Sequence, residues 1–258
     1  MIEKIKYICD KLMEVSLKYK TPKPFIVGGM VRDYILKSKE IKDFDITTNS
    51  GHSSFLLGIL FSDYYGRTFS INKNNNSLSI YFDGTKIDFS SGYRSEKVIE
   101  SLKDVNDELY EVYSRDFTID AIHMSCDTLK IFDYSGKGID DLNKKIIRTV
   151  SHPEITLTDD PKRIFRSIYL ASRYNFSISE DIIQYVYQNS NIIDDIVKTN
   201  SNYIINIIDD SLKYNEEISF KYLRDMNISN KIPLFANYSK LLLEKGLFNE
   251  YLKNTNNY

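Results

Sequence analysis

The sequence predicts an α+β fold, with a mixed α/β domain over residues 1–150 and an all-helical domain over residues 151–258. Up to about residue 150, short apolar runs with strand spacing alternate with segments of helical spacing. Beyond that point apolar residues recur every three or four positions, and strand signals disappear. A chain of 258 residues, of which 42% are hydrophobic, is large enough to bury a core in each part.

The first domain opens with apolar residues at helical spacing and continues as alternating helices and strands. Helices are predicted over residues 2–19, 30–37, 53–61 and 115–121. Strands are predicted over residues 25–27, 43–47, 66–70, 77–82 and 85–89. Asp83-Gly84 indicates a hairpin between the last two strands, and 72–77 is predicted as another turn. The apolar run 119–124 is expected to pair with 129–132.

The overall charge gives no sign of a strongly basic nucleic-acid binder. The net charge is −2, so only a local basic patch remains open as an RNA-binding surface. Two cysteines, Cys9 and Cys126, form neither a disulfide framework nor a zinc motif, which favours a reduced, cytoplasmic location. The N-terminus lacks the pattern of a signal peptide and no apolar run approaches 18 residues, so no membrane partner is expected.

A Gly-Gly pair leaves the first predicted strand. Gly28 and Gly29 directly follow residues 25–27, and Arg32 and Asp33 lie in the predicted helix behind them. Such a turn presents backbone N–H groups that can cradle phosphates, and the helix N-terminus favours anions. Most Gly-Gly pairs are simply turns, so this pair alone is weak evidence.

Three aspartates on neighbouring predicted strands suggest a cation site. Asp43 and Asp45 are two residues apart on one strand, so both carboxylates can face one divalent ion. Asp88, on strand 85–89, is the candidate third carboxylate. Each could equally be a solvated surface residue. A Gly-Gly turn followed by this carboxylate pair is less common by chance, and it supplies what nucleotidyl transfer needs.

Two further pairs of an arginine and an aspartate are candidates for nucleotide binding. Arg115 can fork onto phosphate oxygens, and Asp116 can accept from a ribose hydroxyl; alternatively they form a local ion pair in which Asp116 caps a helix. Asp160 and Arg163 are three residues apart, so their acceptor and donors could match the Watson–Crick edge of a base. Pro161 leaves open that Asp160 is an ordinary N-cap. The histidines show no metal-ligand or triad spacing.

Five segments of residues 25–178 resemble, in order, the tRNA nucleotidyltransferase/poly(A) polymerase family, the bacterial and eukaryotic class of CCA-adding enzymes. The segments are FIVGGMVRDYIL with KDFDITTN, YGRTFSI with KIDFSSGYRSE, SRDFTIDAIHM, FDYSGKGIDDLNKKIIRTV, and DDPKRIFRSIYLASRYNFSI. The resemblance implies a polymerase-β-like nucleotidyltransferase head followed by a helical neck and body. It also implies template-independent addition of C or A, from CTP and ATP, to an RNA 3′ end such as that of tRNA.

The resemblance assigns roles to individual residues. Asp43 and Asp45 would hold Mg²⁺. The residues that the resemblance implies to bind the nucleotide are Gly28, Gly29, Arg32, Arg115, Asp116, Asp160, Arg163 and Arg166. Among these, Asp160 and Arg163 would form the template that pairs with cytosine or adenine, and Arg166 would support it. From the residue pattern itself, Asp88 is the candidate that joins the aspartate pair in catalysis, and Asp33, beside Arg32, is a further candidate for nucleotide binding.

The chain also departs from the family pattern. Ser114 stands where a first arginine is usual, Asp120 where asparagine is usual, and Asp159 where glutamate is usual. Residues 180–258 carry 11 acidic and 8 basic side chains, and they are shorter than the usual helical body. Two alternatives therefore stay open: the same chemistry on a non-tRNA acceptor, and a nucleotide-binding paralogue without catalysis.

Overall fold

The computed structural model describes residues 1–38, 43–48, 53–72, 77–90, 95–102 and 107–232. They fall into two compact units, Met1–Asp160 and a second unit that begins at Pro161. The predicted domain limit at residue 150 lies inside the first unit. Among the described helices, none combines the length and the apolar character that a membrane crossing requires.

The first unit is a mixed sheet with helices. Its helices are α1 (Ile2–Tyr19), α2 (Gly29–Ile35), α3 (Ser53–Tyr64), α4 (Glu96–Ser101), α5 (Asp107–Ser114), α6 (Gly138–Lys144) and α7 (Pro153–Asp159). Its strands are β1 (Phe25–Val27), β2 (Phe44–Thr47), β3 (Phe69–Asn72), β4 (Ser77–Phe82), β5 (Thr85–Ser90), β6 (His123–Ser125), β7 (Ile131–Phe132) and β8 (Ile146–Ile147). A 3₁₀ turn spans Thr118–Asp120.

Seven strands form one sheet in the order β3-β4-β5-β2-β1-β6-β7. The β2–β5 pair is parallel, and the other neighbours are antiparallel. The α+β prediction with a mixed sheet is therefore confirmed. The parallel pair places β2, which follows the Gly-Gly turn in sequence, at the centre of the sheet between β1 and β5.

One face of the sheet is covered by apolar packing against α3. On β5, Ile87 and Phe89 are fully buried, whereas Lys86 and Asp88 alternate with them and are partly exposed. Gly58 of α3 has no room for a side chain, because a Cβ there would lie 2.8 Å from the Phe89 ring. The period of two therefore sends apolar residues into the core and leaves the charged residues on the opposite face.

Elements set by local sequence are confirmed. The observed α1, β1 and β4 have the predicted bounds. Asp83 and Gly84 both have positive φ, 47° and 73°, as the tight hairpin between β4 and β5 requires. The β6–β7 pairing is also observed, within the predicted runs.

Other predicted elements differ from the structure. The helix predicted over 115–121 is wrong, because α5 already ends at Ser114 and the Thr118 N–H donates to the Arg148 carbonyl, 2.9 Å away. The strand predicted over 66–70 begins later, at Phe69. The central residues of the predicted turn 72–77, numbers 73–76, lie outside the described residues.

Over its described residues, 161–232, the second unit is helical apart from one short strand. Its helices are α8 (Lys162–Tyr174), α9 (Glu180–Gln188), α10 (Asn191–Thr199), α11 (Ser201–Tyr214) and α12 (Glu216–Asp225), with a 3₁₀ turn at Ser229–Lys231. The expectation that strands are absent after residue 150 is wrong at β9, Ser177–Ile178. Helix α8 packs against α11 and α12, and a buried hydrogen bond joins the hydroxyls of Ser172 and Ser219, 2.8 Å apart.

Candidate functional site

The site is built on a row of paired residues that crosses the sheet. Asp45 of β2 lies opposite Val27 of β1 on one side and opposite Asp88 of β5 on the other. Residues in register on neighbouring strands project from the same face, so Asp45 and Asp88 share a face. Asp43 immediately precedes β2, and its side chain is 56% exposed. Asp45 and Asp88 thus lie in this row, and Asp43 lies two residues before Asp45, just before the start of β2.

Gly28 brings the Gly-Gly turn into contact with this row. Its φ of 75° and ψ of −149° belong to a region that is almost restricted to glycine. A Cβ at Gly28 would lie 2.9 Å from Oδ2 of Asp45 and 3.9 Å from Nη1 of Arg115. The turn, the central aspartate and the arginine therefore meet at one point, although they come from three separate segments of the sequence.

The environment of Asp45 makes its negative charge costly. The pKa of Asp45 is raised to about 6, chiefly by burial; the Arg115 guanidinium and the Lys86 ammonium oppose this rise, and the neighbouring Asp88 and Asp43 carboxylates contribute to it. The carboxylate is therefore ionised at neutral pH without full compensation. A cation bound beside it would relieve this cost.

The neighbouring carboxylates interact with Lys86. The Lys86 ammonium donates to Oδ2 of Asp88 at 2.5 Å and lies 3.9 Å from Oδ2 of Asp43. The Ser79 hydroxyl, opposite Asp88 on β4, donates to Oδ1 of Asp88. Asp88 is thus fixed by two donors, whereas Asp43 remains largely in solvent.

The residues present fit a partial cation site of the magnesium type. Asp43 and Asp45 offer the oxygen donors that Mg²⁺ prefers. In the described ranges, no three acidic, histidine or cysteine side chains converge to hold a metal ion by themselves. Magnesium in nucleotide enzymes is commonly bound by one or two carboxylates, with substrate phosphates and water completing the shell. The two aspartates therefore suit an ion that arrives with a nucleotide.

Arg115 is held in place by Glu111, a residue that the sequence analysis missed. The buried Glu111 carboxylate accepts from Nη2 of Arg115 at 3.0 Å and from the Thr47 hydroxyl at 2.7 Å. Since Thr47 ends β2, Glu111 ties the arginine to the strand that carries Asp45. The spacing of four residues between Glu111 and Arg115 on the chain is the signal that could have identified the pair.

The neighbouring Asp116 is buried. Its Oδ1 accepts from the backbone N–H of Phe117 at 2.9 Å, and its side chain does not cap the 3₁₀ turn that follows. The alternative of an ordinary helix cap at Asp116 is therefore wrong. Its predicted contact with a ribose stays a prediction.

Arg32 and Asp33 of α2 are buried rather than presented to solvent. Nε of Arg32 donates to Oδ1 of Asp33 at 3.0 Å, and its Nη1 donates to Oδ1 of Asp120 at 2.5 Å. The three side chains are at most 8% exposed. Their predicted nucleotide contacts stay a prediction, and the observed geometry gives Arg32 two protein partners.

The predicted base-reading residues are divided between the units. Asp160 is the C-cap of α7 and the last residue of the first unit, and Pro161 is the N-cap of α8. The alternative of Asp160 as the N-cap of the long helix is therefore wrong. Arg163 is buried within the second unit. Arg166 lines a groove of about 310 Å³ between α8 and α11, together with Tyr169, Tyr203, Asn206, Ile207 and Asp210.

The comparisons with known proteins agree with this architecture. Residues 24–148 match the family model of the poly A polymerase head domain. A CCA-adding enzyme of Staphylococcus epidermidis is 27% identical over 243 residues, which cover 92% of this chain and 57% of the relative. Poly(A) polymerase I of Salmonella typhimurium is 26% identical over 252 residues, which cover 90% of this chain and 52% of the relative.

A solved structure of a tRNA nucleotidyltransferase complexed with a primer tRNA and an incoming ATP analog is also similar. It has a TM-score of 0.67 and 25% identity, and the match covers 86% of this chain and 62% of the other. This chain spans about half the length of the curated relatives named above.

Proposed function

We propose that this chain is a member of the tRNA nucleotidyltransferase and poly(A) polymerase family. In this proposal it transfers C or A nucleotides from CTP and ATP to the 3′ end of an RNA, with tRNA as the acceptor; the match to the head-domain model and the similarity to CCA-adding enzymes and poly(A) polymerases support it. One observation carries the proposal. The Gly28 backbone, the Asp45 carboxylate and the Arg115 guanidinium lie within 4 Å of one point. Phosphate donors and a metal-binding carboxylate in contact are what transfer from a nucleoside triphosphate requires.

Each part of this cluster has a role in the proposed reaction. The N–H groups of the Gly28-Gly29 turn and the Nη1 group of Arg115 bind the triphosphate. Asp43 and Asp45 hold Mg²⁺, which when bound supplies charge neutralisation and Lewis acidity at the transferred phosphoryl group. The RNA 3′-hydroxyl attacks the α-phosphorus of the NTP, the bond to the β-phosphate breaks, and pyrophosphate leaves. The proton of the attacking hydroxyl passes to a carboxylate on this face. Asp88, in register beside Asp45, is the candidate that does not hold the metal.

Recognition of the base belongs to the proposal as well. Asp160 and Arg163 supply an acceptor and a donor fork for a Watson–Crick edge, and Arg166 supports them. Support for this part comes from the residue types and from the family resemblance.

The test is incorporation of labelled nucleotides into a tRNA trimmed at its 3′ end, with Mg²⁺ and each NTP in turn. Asp45→Ala is expected to lower the rate roughly 10³-fold, because several kcal/mol of transition-state stabilisation is removed. Asp63→Ala, at an exposed carboxylate on α3, is the matched control and should retain the wild-type rate.

The products separate the possible activities. A ladder of C, C and A indicates CCA addition, whereas a long ladder of A alone indicates poly(A) synthesis. NTP binding without incorporation into any RNA would refute the transfer reaction and favour the non-catalytic alternative. Retained turnover in the Asp43→Ala/Asp45→Ala double variant would refute the assignment of the metal pair.

A further inference from the structure

The Gly-Gly turn rests against the side chain of Arg32. The N–H groups of Val31 and Arg32 donate to the Gly28 carbonyl at 3.1 and 3.3 Å, which begins α2 directly at the turn. A Cβ at Gly29 would lie 3.0 Å from Nη2 of Arg32. The guanidinium therefore packs closely beneath the second glycine, and its position limits where the N–H groups of the turn can lie.

Two carboxylates hold this guanidinium from different parts of the chain. Asp33 is the next residue on α2, whereas Asp120 lies 88 residues away, on the 3₁₀ turn that follows Arg115 and Asp116. The Arg32–Asp120 pair is buried and only 2.5 Å long. A buried pair of this kind fixes geometry strongly, because removing one partner leaves the other charged and desolvated.

We propose that Asp120 is a positioning residue for phosphate binding and that it acts through Arg32. Asp120 locks the guanidinium against Gly29 and so joins the Gly-Gly turn to the segment that carries Arg115. The two sets of predicted phosphate donors then keep one relative geometry before the substrate arrives. The proposal rests on the proposed function, since the turn needs this geometry only if it binds a triphosphate.

This role differs from direct contact with the nucleotide. Nε and Nη1 of Arg32 already donate to the Asp33 and Asp120 carboxylates, and the Arg32 side chain is only 6% exposed. Its effect on phosphate binding comes from preorganisation of backbone donors, because a displacement of about 1 Å in such a site can cost on the order of 10²-fold in rate.

A variant pair separates positioning from simple stability. Asp120→Ala removes the acceptor, whereas Asp120→Asn keeps an oxygen acceptor of the same shape. The control is Asp141→Asn, because Asp141 is also buried and holds the same 3₁₀ turn from α6. It accepts from the Thr118 hydroxyl at 2.7 Å and from Nε of Arg148 at 3.2 Å.

The measurements are the thermal midpoint, the affinity for a non-hydrolysable ATP analogue, and kcat and KM for NTP and for trimmed tRNA. Asp120→Ala is expected to lower the affinity for the ATP analogue and to raise the KM for NTP, each by on the order of 10- to 100-fold. The KM for tRNA should be unchanged. Asp120→Asn should have an NTP affinity and an NTP KM within about threefold of the wild-type values. Asp141→Asn should lower the thermal midpoint without changing NTP affinity.

Three results would overturn the proposal. If Asp120→Ala lowers the thermal midpoint as Asp141→Asn does but leaves NTP affinity unchanged, the ion pair is only structural. If Asp120→Ala does not fold, Arg32→Lys tests the same link, because lysine lacks the fork that donates to both carboxylates; an NTP affinity equal to that of the wild type would then refute the positioning role. A wild-type protein that neither binds NTP nor transfers nucleotides overturns the proposed function itself. If the wild-type protein is active and Asp120→Ala lowers only the thermal midpoint, the positioning role alone is overturned.

Discussion

Replacement of Asp45 by asparagine should stabilise the fold while it abolishes nucleotide transfer. Burial raises the pKa of the Asp45 carboxyl to about 6, from an ordinary value of 3.8. The folded protein therefore holds this proton more tightly than the unfolded chain does. Between the two values the free energy of unfolding falls as pH rises, and above about pH 6 the full cost of the buried charge remains.

The size of this effect follows from the distance between the two pKa values. A difference of about two pH units corresponds to about 3 kcal/mol. Asparagine has nearly the same shape and no charge, so Asp45→Asn should gain up to about 3 kcal/mol at pH 8 and almost nothing near pH 4. Transfer activity should fall roughly 10³-fold, because the amide binds a divalent cation poorly.

Urea denaturation at several pH values in EDTA measures the stability, and incorporation with Mg²⁺ measures the activity. EDTA matters because a bound cation would offset the charge of Asp45 and stabilise the wild-type protein. Asp63→Asn, on the exposed side of α3, controls for the loss of one negative charge. An Asp45→Asn protein that is no more stable than wild type at pH 8 would refute the reasoning, since the carboxylate would then be well solvated or compensated.

Two further predictions concern the same face of the sheet. Gly28→Ala should cost about 1–3 kcal/mol from its backbone conformation and should also reduce transfer sharply, because its Cβ would lie 2.9 Å from Oδ2 of Asp45. Gly84→Ala has a similar positive φ in open space, so denaturation should show a loss of stability while the transfer rate is unchanged; equal rates for both variants would contradict the close approach. His123 is fully buried, and burial lowers its pKa to about 3, so the unfolded chain takes up the proton first and stability should fall below pH 6.5 by about 1.4 kcal/mol per pH unit. Denaturation of His123→Asn between pH 7 and pH 5 should show a shallower slope, and an unchanged slope would assign the acid sensitivity to other groups.

Local features of the sequence determine the parts of the fold that were predicted well. The hairpin at Asp83-Gly84 depends on two residues that accept positive φ. The bounds of α1 follow from helical spacing and from the prolines of residues 21–24, which end the helix. The helix predicted over 115–121 fails because tertiary pairing decides that segment. The Thr118 N–H donates to the Arg148 carbonyl, and Phe117 pairs with Thr149. No periodicity within the segment contains that information.

In the candidate site, too, contacts between residues close in sequence could be predicted, whereas contacts that depend on tertiary packing could not. Gly28 and Asp45 are close in sequence, and their contact follows from a strand, a turn and an antiparallel return. The approach of Arg115 to the same point depends on α5 and on Glu111, and it was expected only from the family resemblance. The Arg32–Asp120 pair joins residues 88 positions apart, and residue types alone give no reason to connect them.

The backbone strain at Gly28 and the partial desolvation of Asp45 share one physical origin. A side chain at position 28 would separate the turn from the carboxylate, and a solvated carboxylate at position 45 would need space that the turn occupies. Contact between the two therefore requires both a glycine-only conformation and a desolvated aspartate. If this closeness serves metal and phosphate binding, Mg²⁺ together with NTP should raise the thermal midpoint of the wild-type protein more than that of Asp45→Asn. An equal shift in both proteins would mean that the nucleotide binds without this carboxylate, and the strain would then have no role in the reaction.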